Sequence, residues 1–139
     1  MEQKKEISSS LRFIDYIVNS VEFIYNHKFE EKPISIDFDI DKEIEYVESD
    51  NNILVTLIVK VFENASKNNY PFTMNLNVTG IFEVDKMDKE KSDSFAEVNA
   101  VAILFPYIRA LITTYTSNSN VPPLILPPIN VVKLMENKK

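Results

Sequence analysis

The side chains able to do chemistry are few in this 139-residue sequence. It holds one histidine, His27, and no cysteine, which removes disulfides, thiolate catalysis and cysteine zinc sites and leaves little for imidazole chemistry. The serines, Ser8 to Ser10 among them, have no imidazole partner but His27, which stands beside Lys28 in a polar stretch. A nucleophile needs a base and a group that orients the base, so His27 reads as a solvated loop histidine. One glycine, Gly80, occurs in the whole chain, where an ordinary soluble domain of this length carries roughly ten. Neither a P-loop nor a dinucleotide fingerprint can be written with one glycine.

Carboxylates are plentiful: 21 Asp and Glu stand against 15 Lys and Arg, for a net charge of −6. A carboxylate pair can serve as acid and base, and a carboxylate cluster suits calcium. The most regular row, Asp37, Asp39 and Asp41, is straight and lacks the glycine-bearing loop that wraps an ion, so it reads as a solvated acidic outer face. The imbalance sits in residues 1 to 50, with 6 basic against 13 acidic residues; the remainder carries 9 against 8. An acidic chain is repelled by phosphate, which argues against nucleic acid and anionic lipid. No apolar run approaches the roughly 20 residues of a membrane helix, and the opening MEQKKEISSS lacks the apolar core of a signal peptide. The expectation is a cytoplasmic protein without catalytic residues, metal, cofactor, nucleic-acid partner or membrane insertion.

The elements that position these residues follow from hydrophobic period. From Leu11 to Tyr25 two templates fit: Phe13, Ile17, Val21, Phe23 and Tyr25 suit a strand, whereas Leu11, Ile14, Ile17 or Val18, and Val21 suit a helix face. Aromatic and β-branched content favours the strand. Pro33 opens the clearest alternation, with Ile34, Ile36, Phe38 and Ile40 facing one way and Ser35, Asp37, Asp39 and Asp41 the other. Ile53 to Phe62 is apolar on one face and partly apolar on the other. Phe72, Met74, Leu76, Val78 and Phe82 alternate with polar residues in a last strand, which completes an antiparallel meander.

Then the period changes. Ser92 and Asp93 can cap a helix, Ser94 and Glu97 form a capping box, and helical spacing runs from Phe95 to about Thr116. Pro106 removes a hydrogen bond at about 3 kcal/mol, so a break or kink is expected, with Pro106 opening a second segment. Val121 to Asn130, VPPLILPPIN, is an extended connector that cannot join a central strand, and a short helix is expected from Asn130 to about Met135. The fold class is α+β: a single domain over 1–139, with a four-stranded antiparallel sheet followed by a long, proline-interrupted helix and a short C-terminal helix on one sheet face.

Such a fold has more apolar surface than it can bury. Both faces of Ile53 to Phe62, the Leu124-Ile125-Leu126 triplet and the tail residues Ile129, Val132, Leu134 and Met135 exceed what one sheet hides beneath one helical layer. Exposed apolar surface of this extent marks contact with another chain, either a second copy or an apolar segment held in a groove.

The run Ala102-Ile103-Leu104-Phe105-Pro106-Tyr107-Ile108-Arg109, the connector Val121 to Asn130 and the segment Thr79-Gly80-Ile81-Phe82-Glu83 together resemble the SecB export-chaperone family. The resemblance covers residues 72 to 135 closely and the first 70 mainly by strand pattern. It implies a homotetramer, built as a dimer of dimers with helices sandwiched between sheets. Such a protein binds unfolded preproteins without ATP and keeps them competent for export through the motor SecA. On this resemblance Phe105, Pro106 and Tyr107 pack the helix and the oligomer, and Leu124, Leu126, Ile129 and Val132 line a client groove with Ile34, Ile36 and Phe38. Some family members serve toxin–antitoxin systems, so a chaperone dedicated to an antitoxin is an alternative. An oligomeric adaptor whose apolar surface is consumed by its own subunits is another, from a different class. The sequence departs from the family where carboxylates for SecA docking are expected: Asn19 or Ser20 stands in the first strand and Asn75 in the last. The segment Asn26 to Pro33 is short and lacks the family's tryptophan.

Overall fold

A computed structural model describes residues 11–47, 49, 51–84, 89–128, 130 and 133, with the side chains of 89–96 outside the description. Strand β1 spans Leu11–Tyr25, β2 Phe38–Val47 and β3 Asn52–Val61; a single helical turn, α1, spans Ala65–Asn68; β4 spans Phe72–Val84 and α2 Lys89–Ser117. The strands form one antiparallel sheet in the order β1-β4-β3-β2. The expected α+β architecture of four strands and a long helix is therefore observed. The short helix expected near Asn130 lies almost wholly outside the described residues; within them, Asn130 Oδ1 accepts the Lys133 N–H at 3.0 Å.

The core is the inner face of the two central strands. Ile53, Val55, Leu57, Val59 and Val61 of β3 lie opposite Phe82, Gly80, Val78, Leu76 and Met74 of β4, and every one of these apolar side chains is buried. Helix α2 packs on this face through Ala100, Val101, Leu104, Phe105, Ile108 and Ile112, which recur at helical spacing.

Strand β1 explains why two templates fitted its sequence. Ile14 and Asn19 have no partner in the register with β4, so the ladder contains two bulges. Each extra residue flips the side-chain phase. The inner residues are consequently Leu11, Phe13, Tyr16, Val21 and Phe23, spaced by a mixture that imitates a helix. Ile17, expected inside with Phe13 and Val21, falls between the bulges and is 50% exposed.

Strand β2 begins later than its alternation predicts. The ladder starts with Phe38 opposite Val61 and is closed by the Phe62 N–H donating to the Asp37 carbonyl at 2.9 Å. Phe62 then takes φ 56 and turns β3 away, so Ile34 and Ile36 have no strand to pair with. They lie in the crossover, 39% and 42% exposed.

That crossover runs from one edge of the sheet to the other, and asparagines pin it. The Asn26 N–H donates to Pro71 O at 2.9 Å, and its amide donates to Ala65 O and Tyr70 O at 3.2 and 2.8 Å. The Asn69 amide accepts the Glu30 N–H at 2.8 Å and donates to the Glu30 carbonyl at 2.9 Å, imitating a strand partner. Asn69 has φ 55, as do Asn51 and Asn64, and Asn120 has φ 60. Asparagine thus fills left-handed positions where glycine is the common choice.

Helix α2 corrects two expectations. It starts at Lys89, before Ser92, and it is continuous through Pro106. Pro106 and Ala102 are both exposed, so the carbonyl left without an intrahelical donor is on the watered side, while Val101, Leu104, Phe105 and Ile108 hold both halves to the sheet. The stretch Glu97–Ser117 is also long and apolar enough, at mean hydropathy 1.3, to pass a membrane-span criterion; here one face of it is the core.

Gly80 is required by packing. A Cβ built on it would lie 2.8 Å from Phe82 Cε1 and 3.1 Å from Leu104 Cδ1, inside van der Waals contact with both strand and helix. Its φ is not positive, so space rather than backbone freedom selects glycine. Gly80→Ala is expected to lower stability by about 1–3 kcal/mol through overpacking. Urea unfolding would show this as a lower midpoint at unchanged slope; a wild-type midpoint would contradict the close approach.

Candidate functional site

Among the described residues no layer covers the outer face of the sheet, and its rows follow from the register. On the edge strand β2, Asp39, Asp41, Glu43 and Glu45 alternate outward opposite Lys60, Ile58, Thr56 and Leu54 of β3. Asp37 precedes the strand and contributes its carbonyl to the ladder. Across β4 and β1 the face carries a hydrogen-bonded network of amides and hydroxyls. Asn19, in the second bulge, donates to Asn77 Oδ1 at 2.9 Å and Thr79 Oγ1 at 2.8 Å, and Thr79 Oγ1 lies 2.7 Å from Thr56 Oγ1. The Asn75 amide donates to Glu22 Oε1 at 2.9 Å, and Arg12 pairs with Glu83. This face holds an acidic edge beside a satisfied amide and hydroxyl network. Among the described residues no group of three or more His, Asp and Glu side chains is arranged to hold a metal ion. His27 packs its ring edge against Tyr25, centroids 4.9 Å apart.

Apolar surface is the distinctive feature. Ile14, Ile17, Val18 and Ile24 are exposed on the edge strand β1; Val98, Ile103, Tyr107 and Tyr115 on α2; and Ile34, Ile36 and Ile125 on the two irregular segments. Of the residues expected to pack the helix, Phe105 is in the core and Pro106 is exposed. Tyr107, also exposed, sets its ring 5.3 Å from that of Phe13 and 5.0 Å from that of Tyr16.

The residues expected to line one groove are not equivalent. Ile34 and Ile36 are open to solvent, Phe38 and Leu124 are half-buried against the core, and Leu126 is fully buried within it. Leu126 thus presents no surface to another chain in this conformation, which corrects its assignment to an open groove: alternation in the connector turns Leu124 and Leu126 inward and leaves Ile125, 65% exposed, outside. Ile129 and Val132 lie outside the described residues.

What holds the connector was missed from sequence. It runs back along α2, antiparallel to it. Thr116 Oγ1 accepts the Leu124 N–H at 2.8 Å, Thr113 Oγ1 donates to the Leu124 carbonyl at 2.8 Å, and Arg109 donates from Nε and Nη2 to the Leu126 carbonyl at 3.0 and 2.8 Å. Arg109, Thr113 and Thr116 are spaced by four and three, one stripe of the helix. That polar stripe in an apolar helix was the available signal.

Comparison with known proteins agrees with this architecture. The family model described as preprotein translocase subunit SecB matches residues 17–139. The uncharacterized protein MJ0357 of Methanocaldococcus jannaschii is 44% identical over 131 residues, covering 92% of this chain and 84% of its own. The protein-export protein SecB of Bartonella bacilliformis is 28% identical over 109 residues, covering 78% of this chain and 67% of its own. Among solved structures, the Mycobacterium tuberculosis Rv1957 SecB-like chaperone, in complex with a ChAD peptide from the Rv1956 HigA1 antitoxin, aligns with a TM-score of 0.71. Its identity is 14%, and the alignment covers 90% of this chain and 94% of that one. The bulged edge strand, the meander, the long helix and the proline-bracketed connector thus coincide with a family match over most of the sequence, and the chain belongs to the SecB family as a divergent member.

Proposed function

We propose that this SecB-family protein is an ATP-independent chaperone that holds extended, apolar segments of non-native polypeptides. The observation that carries the reading is the apolar surface left open on four separate elements, β1, the crossover, α2 and the connector, since exposed apolar surface marks contact with another chain where it is contiguous. Burial of such surface at about 25 cal/mol per Å² favours any apolar segment of sufficient length, and several weak subsites reinforce one another through effective concentration.

The finer reading is that the clients are preproteins kept competent for export in the cytoplasm. A homotetramer, a dimer of dimers, suits two of the open surfaces: the edge of β1, with Ile14 and Ile17, and the outward side of α2, with Val98 and Ile103. The crossover and the side of α2 that carries the connector then remain for clients. A second reading, service to one dedicated client such as an antitoxin, is supported by Asn75 on the outer face, where a carboxylate for SecA docking is expected and an amide bonded to Glu22 stands instead. An adaptor with all its apolar surface consumed by its own subunits is the competing class.

A denatured reporter mixed with the protein, without nucleotide, distinguishes these. Stoichiometric protein is expected to suppress light scattering by the aggregating reporter, and full scattering would exclude the chaperone. Ile34→Asp and Ile36→Asp, both at exposed positions of the crossover, are expected to weaken suppression several-fold while leaving unfolding free energies within about 0.5 kcal/mol. Sedimentation is expected to give a multiple of the 16.1 kDa protomer, and a monomer at micromolar concentration would contradict the assembly.

A further inference from the structure

The connector is held on α2 through its main chain. Its contacts with α2 through Arg109, Thr113 and Thr116 are made to backbone atoms alone: one N–H and two carbonyls, at Leu124 and Leu126. Nothing in that pattern depends on which side chains the connector carries. Side-chain contributions come from inward apolar residues, Val121, Leu124 and Leu126, with Ile125 pointing out. An extended chain read by its main chain and by alternate apolar side chains is the chemistry of a bound peptide.

The reading groups are also within reach of a second chain. Arg109 and Thr113, which hold the connector on one side, line an open depression of about 360 Å³ together with Pro106, Ala110 and Thr114. An incoming backbone can engage them there before the connector leaves.

From this geometry we infer that Val121 to Pro128 is a resident strap, seated as a client would be on a backbone-reading stripe of α2, and that an extended apolar polypeptide displaces it. The inference rests on the chaperone reading and adds its regulation. The strap is an intramolecular competitor: it occupies Arg109, Thr113 and Thr116 when no client is present and scales apparent affinity down to the fraction of molecules in which it is unseated. The occupant it yields to is an uncharged, extended segment with apolar side chains at alternate positions, matching Leu124-Ile125-Leu126.

Amide hydrogen exchange on the intact protein tests this at one atom. The Leu124 N–H is protected by Thr116 Oγ1, and Thr116 is itself buried. A synthetic peptide of alternating Leu and Ser is the probe, with binding measured separately by fluorescence anisotropy. Bound probe is expected to speed exchange of the Leu124 N–H by about tenfold or more, as local opening becomes populated. Probe that binds while Leu124 exchange is unchanged or slower overturns the strap and leaves the chaperone reading standing. Probe that does not bind overturns both. A second arm weakens the strap and spares the stripe: Leu124→Ser is expected to tighten probe binding about threefold or more, because the seated fraction falls. Unchanged or weaker binding by this variant, with its α2 amides as protected as in wild type, overturns the competition.

Discussion

One helix has to cover a four-stranded sheet, and it is too narrow to do so. Four strands about 4.8 Å apart present a face roughly 15–20 Å wide, whereas a helix with its side chains is about 10 Å across. Helix α2 packs over β1, β4 and β3, and its buried stripe meets the central pair. Coverage beyond that stripe comes from long side chains and from irregular chain. On the β1 side Phe13 and Tyr16 reach Tyr107, and Phe23 reaches Tyr115 at 5.7 Å. Over β2, Lys42 extends from the inner face to Glu97 of the helix, 3.7 Å away. The connector supplies Leu126 as a further plug. Among the described residues the opposite face has no second layer. Open apolar surface is therefore a consequence of the architecture.

The contact in the middle sets how close the two layers come. Leu104 sits over Gly80, where a single added methyl would meet both Leu104 and Phe82. A larger residue would lift the helix and open gaps along Val101, Ile108 and Ile112, each forfeiting dispersion contacts. The scarcity of glycine elsewhere has a different cause. The left-handed positions are filled by asparagines, and at Asn69 the side chain also clamps Glu30, a task glycine has no atoms to perform. Phe62 is the costly exception, a bulky residue at φ 56. Its ring is held between Tyr70 and Phe72 at 4.7 and 5.2 Å, contacts that offset a left-handed penalty of about 1–2 kcal/mol.

The central strands were legible because both obey an unbroken period of two, from Ile53 to Val61 and from Phe72 to Phe82. The edges were less so, for identifiable reasons. The bulges at Ile14 and Asn19 reset the phase of β1 twice, and a bulge has no marker in residue type when glycine is absent. The alternation of Ile34 and Ile36 was real, yet pairing depends on where the neighbouring strand ends, and β3 ends at the Phe62 turn. Pro106 signalled a break that tertiary packing overrides. In the candidate site, the exposure of Ile34 and Ile36 comes from their having no strand to pair with and was not visible in their alternation. The inward turn of Leu126 was not visible, because it follows from bonds made by Arg109, Thr113 and Thr116, whose partners lie between 8 and 17 residues away.

The composition of the connector bears on how firmly that strap is fixed. Of the eight residues Val121 to Pro128, four are proline and so have no N–H to satisfy. Only four backbone donors remain, and the Leu124 N–H is met by Thr116. Proline also restricts the released segment to extended conformations, so seating it costs little entropy. Detaching it leaves few orphaned donors, because water reaches a strap that already exposes Ile125. A segment of this kind closes readily without being bonded tightly, whereas a hydrogen-bonded strand in the same place would resist removal one ladder bond at a time. Diproline flanks on an apolar triplet thus suit a piece of chain that has to be both part of the core and separable from it.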